Sequence, residues 1–178
     1  KISNFFSNYC EETSWNTPRT LSVYRKLLKE ISQHVEERGK LLDIGCGKGT
    51  FLKLALSSGW QGFGIEPNCP EAGELKREFD IQIIQADFME SDLSENQFQV
   101  VTLWDLIEHV PNPNEWIKRC HRIIKPKGLL VIATPNHFSL IDGLAFCACR
   151  VSLGNFTYAL EKLYTVDHTL YFTEQTLK

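Results

Sequence analysis

Ten residues constrain the fold of this chain more than any others: Leu41-Leu42-Asp43-Ile44-Gly45-Cys46-Gly47-Lys48-Gly49-Thr50. A short apolar run, a strand, feeds a glycine-rich turn that opens a helix. Glycines at alternating positions let the backbone turn tightly and approach a ligand closely. The helix start offers free N–H groups and partial positive charge to an anion. Spacing narrows the ligand. A dinucleotide loop needs G-x-G-x-x-G, and Thr50 stands where its third glycine would be. A G-x-x-x-x-G-K-[ST] phosphate loop is also absent. The expected ligand therefore carries a carboxylate and no pyrophosphate.

Apolar runs alternate with helix-sized segments around this loop. Residues 18–31 carry Leu21, Tyr24, Leu27, Leu28 and Ile31 at helical spacing after Pro18, and Gly39 is read as the end of that pattern. Strands are expected at 41–44, 62–66, 81–84, 98–104 and 129–133, and helices at 50–58, 70–79 and 114–124. Strands alternating with helices make a parallel sheet covered on both faces. Right-handed crossovers give a doubly wound α/β sheet that binds ligands beyond the carboxyl ends of its strands. The rhythm fails after Pro135, and residues 136–172 read as a lid or acceptor region.

Composition excludes other classes. With 43% apolar and 23% charged residues, the 178-residue chain has the make-up of a globular domain, not a disordered one. Nineteen basic against 22 acidic residues leave a net charge of -3, so no nucleic-acid partner is expected. No run approaches the roughly 18 apolar residues of a membrane span. Six cysteines are scattered without a C-x-x-C pair, which reads as reduced, buried thiols. A cytoplasmic protein without a secretory leader is expected.

Asp43-x-Gly45-x-Gly47-x-Gly49 resembles the first motif of class I S-adenosylmethionine-dependent methyltransferases. The resemblance implies S-adenosyl-L-methionine as cofactor. The backbone of Gly45, Cys46, Gly47 and Gly49 would approach its methionyl part, with Asp43 holding the loop and the amino group. Glu66, 21 residues after Gly45, ends a strand where a carboxylate can accept two hydrogen bonds from a ribose diol. It looks like the family's ribose-binding acid, with Pro67 and Asn68 beside the adenine. Asp87 and Phe88 resemble the adenine contacts, although an Asp in that place also suits a helix cap. The stretch from Trp104-Asp105 through Glu108-His109-Val110-Pro111 resembles the branch holding the ubiquinone-biosynthesis O-methyltransferases. There the strand end and the following stretch, here Glu108-His109-Val110-Pro111, flank the methyl-transfer site, and the resemblance implies Trp104 and Asp105 among the cofactor-binding residues. Residues 123–136 continue the likeness.

Methyl transfer from a sulfonium mainly needs an aligned nucleophile, and a base helps when a hydroxyl must lose its proton. His109 and His168 are the candidate bases, and His137 competes with them. If residues 105–109 were helical, Asp105, Glu108 and His109 would share a face and could hold a divalent ion. The alternative, preferred here, has Asp105 touching the cofactor and no metal. Apolar residues between Phe138 and Tyr158 could line a pocket for a lipophilic acceptor, touch a membrane surface, or pack on the sheet.

The sequence thus points to a methyltransferase acting on a small molecule, most readily at a hydroxyl oxygen. The alternatives are a cofactor-binding protein of this fold without catalysis, and a protein or nucleic-acid methyltransferase. No N-P-P-Y-like tetrad follows the fourth strand, which argues against nucleobase N-methylation. One domain is expected: a helical lead-in (1–39), a cofactor-binding core (40–135), the lid (136–172) and a helix start (173–178). The family's sheet has seven strands, so the order 3-2-1-4-5 is expected here, cut short before the last two, with residues 129–133 at an exposed edge.

Overall fold

A computed structural model describes residues 16–134 together with Leu170. Helix α1 (Pro18–Gln33) starts where Thr17 accepts a hydrogen bond from the Thr20 N–H at 3.1 Å and Pro18 presets the first turn. Tyr24, Leu28 and Ile31 form its buried stripe, and the Tyr24 ring meets Phe51 edge-on at 5.1 Å. The helix ends well before Gly39. Ile31 is its last buried residue, so a further turn would gain little packing.

Strand β1 (Lys40–Ile44), helix α2 (Thr50–Ser57), strand β2 (Gln61–Ile65), helix α3 (Ala72–Phe79) and strand β3 (Gln82–Ile84) follow. Strand β4 (Phe98–Trp104), a 3₁₀ turn (Ile107–His109), helix α4 (Pro113–Ile123) and strand β5 (Ile124–Ala133) complete the described elements. The sheet has the order β3-β2-β1-β4-β5. Strand β1 pairs in parallel with β2 and with β4, and β2 pairs in parallel with β3. Strands β1 and β4 are the most deeply buried, which explains their nearly unbroken apolar sequence. The strand order reverses between β1 and β4, where such sheets open a crevice at their carboxyl ends.

Two further boundaries differ from the sequence reading by more than one residue. Helix α3 begins at Ala72, because the Ala72 N–H first closes a turn onto the Cys69 carbonyl at 3.1 Å. Strand β5 begins at Ile124 and includes Pro126, which the sheet tolerates because β5 lies at its edge. Lys127 adopts a left-handed φ of 63°, and a Cβ at Gly128 would lie 2.8 Å from the Gln99 and Lys125 carbonyl oxygens. Glycine is therefore required there. Residues 129–133 lie at an edge of the described sheet and are half-buried.

The described residues form two compact units, 16–103 with 114–131, and 104–113 with 132–134 and Leu170. Among them, no helix is long and apolar enough to cross a membrane.

Candidate functional site

In the first unit the glycine turn is fastened to the end of β2. The Gly45 and Cys46 N–H groups both donate to the Ile65 carbonyl, at 2.8 and 3.3 Å. Gly45, Gly47 and Gly49 have φ of 73°, 49° and 71°, a left-handed run that side chains with a Cβ resist. Gly49 is also a close approach: a Cβ there would lie 3.0 Å from the Leu75 side chain of α3. The Gly49 carbonyl then accepts from the Lys53 N–H at 2.9 Å, and α2 has begun.

Two acids stand beside this turn. Asp43 is 1% exposed and accepts from the Thr102 hydroxyl at 2.7 Å. Burial lifts its carboxyl to about 7; the Thr102 hydrogen bond opposes the rise and the neighbouring Glu66 adds to it. Glu66 is 5% exposed. Its Oε2 accepts from the Gly47 N–H at 3.2 Å and its Oε1 from the Asn68 N–H at 3.4 Å. Burial raises its carboxyl as well, against those two hydrogen bonds. Each oxygen of Glu66 can accept a further hydrogen bond. Buried carboxyls are costly unless they are paired, so this site favours a ligand bearing donors or positive charge. S-adenosylmethionine fits, with an ammonium, a sulfonium and a ribose diol to offer them.

Residues not singled out from the sequence complete the framework. The Cys69 thiol donates to the Gly47 carbonyl at 3.3 Å, and Gln85 Nε2 donates to the Cys69 carbonyl at 3.0 Å. The segments after β1, β2 and β3 are thereby linked. Thr102, a polar residue in an otherwise apolar part of β4, was a readable sign that a buried partner faced it. Cys46, Cys69 and Cys120 are buried thiols; Cys10, Cys147 and Cys149 lie outside the described residues. Burial pushes the Cys46 thiol far up and the Cys120 thiol up to about 12.

Pro67 and Asn68 are exposed on the turn after β2. Asp87 is exposed, and its Oδ1 accepts from the Met89 N–H at 2.7 Å. It therefore caps a turn; no helix starts there for it to cap. The Phe88 side chain is buried against Trp116 of α4, ring centroids 5.0 Å apart.

The second unit carries Trp104, Asp105 and His109. Asp105 has φ 45°, and its N–H donates to the Ala133 carbonyl at 2.9 Å. The segment is then a 3₁₀ turn over Ile107–His109, not an α-helix starting at Asp105. The shared helical face that would have aligned Asp105, Glu108 and His109 therefore does not form. Among the described residues no group of three His, Cys, Asp or Glu is arranged to hold a metal ion. Glu108 is buried, His109 is half-buried, and the Glu108 carbonyl accepts from the Leu170 N–H at 3.1 Å. His137, His168 and nearly all of residues 136–172 lie outside the described residues.

A family model described as a methyltransferase domain matches residues 18–178. The ubiquinone biosynthesis O-methyltransferase of Coxiella burnetii is 30% identical over 115 residues, covering 61% of this chain and 49% of that protein. Its counterpart from Bradyrhizobium diazoefficiens is 29% identical over 154 residues, covering 77% and 60%. The chain spans about half the length of the curated relatives it matches. The crystal structure of PH0226 protein from Pyrococcus horikoshii OT3 superposes with a TM-score of 0.64 at 23% identity, over 84% of this chain and 69% of that one. Sheet order, glycine turn and family match agree: the chain belongs to the class I S-adenosylmethionine-dependent methyltransferases, and S-adenosylmethionine is its cofactor.

Proposed function

We propose that the protein transfers a methyl group to a hydroxyl oxygen of a small, lipophilic acceptor. The observation that carries this reading is the glycine turn flanked by two buried acids, Asp43 and Glu66, which suits binding of the methyl donor. Oxygen as the target rests on the likeness to ubiquinone biosynthesis O-methyltransferases. When bound, the cofactor supplies a methyl carbon already activated by its sulfonium. The backbone of Gly45, Cys46, Gly47 and Gly49 approaches the methionyl part, and Asp43 attracts its ammonium. Glu66 accepts from the ribose, while Pro67, Asn68, Asp87 and Phe88 bound the adenine. Trp104 and Asp105 line the transfer site. His109 or His168 would take the acceptor hydroxyl's proton onto an imidazole nitrogen, and the many apolar residues between Phe138 and Tyr158 in the sequence favour a lipophilic acceptor.

The test is incubation of the full-length protein with S-adenosylmethionine and a panel of phenols, lipophilic quinols and amines, read by mass spectrometry. Methylated phenol or quinol oxygens are expected. Methyl groups found only on amines, proteins or nucleic acids would overturn the acceptor class, and bound cofactor without transfer to anything would overturn catalysis. Replacing the true base by alanine is expected to lower kcat by about 100-fold or more while cofactor affinity stays. If neither His109→Ala nor His168→Ala slows turnover, alignment alone accounts for the rate.

A further inference from the structure

Helix α4 reaches under the turn that carries Asp87, and it does so largely through one side chain. Arg119 Nη2 donates to the Ser91 carbonyl and lies 3.4 Å from the Ser91 hydroxyl. Its guanidinium carbon lies 5.2 Å from the Phe88 ring centroid. Trp116, one helical turn earlier, closes on the same ring. The Ser91 hydroxyl donates to the Phe88 carbonyl at 2.8 Å, so the turn is also tied to itself. Above these anchors, the Asp87 carbonyl accepts from the Glu90 N–H at 3.2 Å, and the Asp87 carboxylate accepts from the Met89 N–H.

We propose that Arg119 is a positioning residue: it locks the 87–91 turn from below and so fixes the direction in which Asp87 presents its carboxylate to the adenine amine. The inference rests on the reading of Asp87 as the adenine acceptor. Arginine suits the task because a planar fork donates to Ser91 while its face lies on Phe88, which a lysine cannot do at once. Its Nε is buried without a hydrogen-bond acceptor among the described residues. That imperfect satisfaction costs free energy, and the contacts of Nη2 and of the guanidinium face offset it. A residue needed for packing alone would be better served by an apolar side chain.

The test measures a ratio. S-adenosylhomocysteine and S-inosylhomocysteine differ at the 6-position, where an oxygen that cannot donate to Asp87 replaces the exocyclic amine, and at the adjacent N1, which changes from acceptor to donor. Calorimetry on the full-length protein is expected to show the adenine form binding about tenfold or more tightly. Asp87→Asn is expected to narrow that ratio. Arg119→Leu is expected to narrow it to within about threefold while binding of the inosine form changes little. If Arg119→Leu does not fold, Arg119→Lys, which keeps the charge and loses the fork, is expected to narrow the ratio too. An unchanged ratio in the folded Arg119 variant, or a uniform loss for both ligands, overturns the proposal. A wild-type protein that does not distinguish the two ligands instead overturns the role given to Asp87, and the inference falls with it.

Discussion

Asp43 shows how one buried side chain can couple proton, ligand and stability. Its carboxyl is lifted from the ordinary 3.8 to about 7. Between those values the unfolded chain is ionised at this position and the folded chain holds its proton. The folded state then binds more protons, so this group's contribution to stability falls as pH rises from about 4 to about 7 and is level above that. Asp43→Asn keeps the acceptor for Thr102 and removes the titration. The stability of wild type relative to Asp43→Asn is therefore expected to decline across that window in urea unfolding. A flat difference would mean that Asp43 is ionised in the free protein. Binding inverts the preference, because a ligand ammonium favours the ionised acid. Below pH 7, cofactor binding is expected to release a proton, detectable as a buffer-dependent heat. Asp43→Asn is expected to abolish that release and weaken binding about tenfold or more.

At the scale of elements, β2 shows what could be read ahead and what could not. Its apolar Gly-Phe-Gly-Ile run marked a strand, and the acid beyond it lies buried against the glycine turn. What the glycines do depends on neighbours distant in sequence. A Cβ at Gly64 would lie 2.5 Å from the Cys46 sulfur, 2.6 Å from Ile83 Cδ1 and 3.0 Å from Leu52 Cδ1. The bare face of β2 is what lets α2 lie close and the cofactor turn fold back onto the strand. Gly64→Ala is expected to cost about 1–3 kcal/mol as overpacking, lowering Tm by several degrees. Cys46→Ala in the same chain should restore only part of the loss, since Ile83 still clashes; full restoration would mean that the sulfur alone fills the space. Asp105 illustrates the opposite case. Its spacing to Glu108 and His109 is helical on paper, yet a left-handed backbone at Asp105 diverts the chain into a 3₁₀ turn. No periodicity reports that bend, because a hydrogen bond from Asp105 to Ala133, 28 positions away, accompanies it.

For the molecule as a whole, the doubly wound sheet was legible because alternation of strands and helices, right-handed crossovers and one glycine turn leave few arrangements open, while the strand order itself came from the likeness to the family. The same sheet accommodates dinucleotide enzymes and methyltransferases, so ligand choice falls to loop spacing and to the charge of the acids around it. That choice has a measurable consequence. A ligand that binds only the folded state stabilises it by RT ln(1 + [L]/Kd), about 2.7 kcal/mol at a hundredfold excess over Kd. For a chain of this size that raises Tm by roughly 5–10 °C. S-adenosylmethionine and S-adenosylhomocysteine are both expected to produce such a shift, whereas NAD and NADP at equal concentrations are expected to produce none. Glu66→Ala should remove most of the shift, because it deletes the proposed ribose acceptor together with the partner of the Gly47 N–H. Equal shifts with dinucleotides would show that the spacing of Gly45, Gly47 and Gly49 does not discriminate as argued, since a pyrophosphate would then be accommodated where the turn offers no third glycine at Thr50.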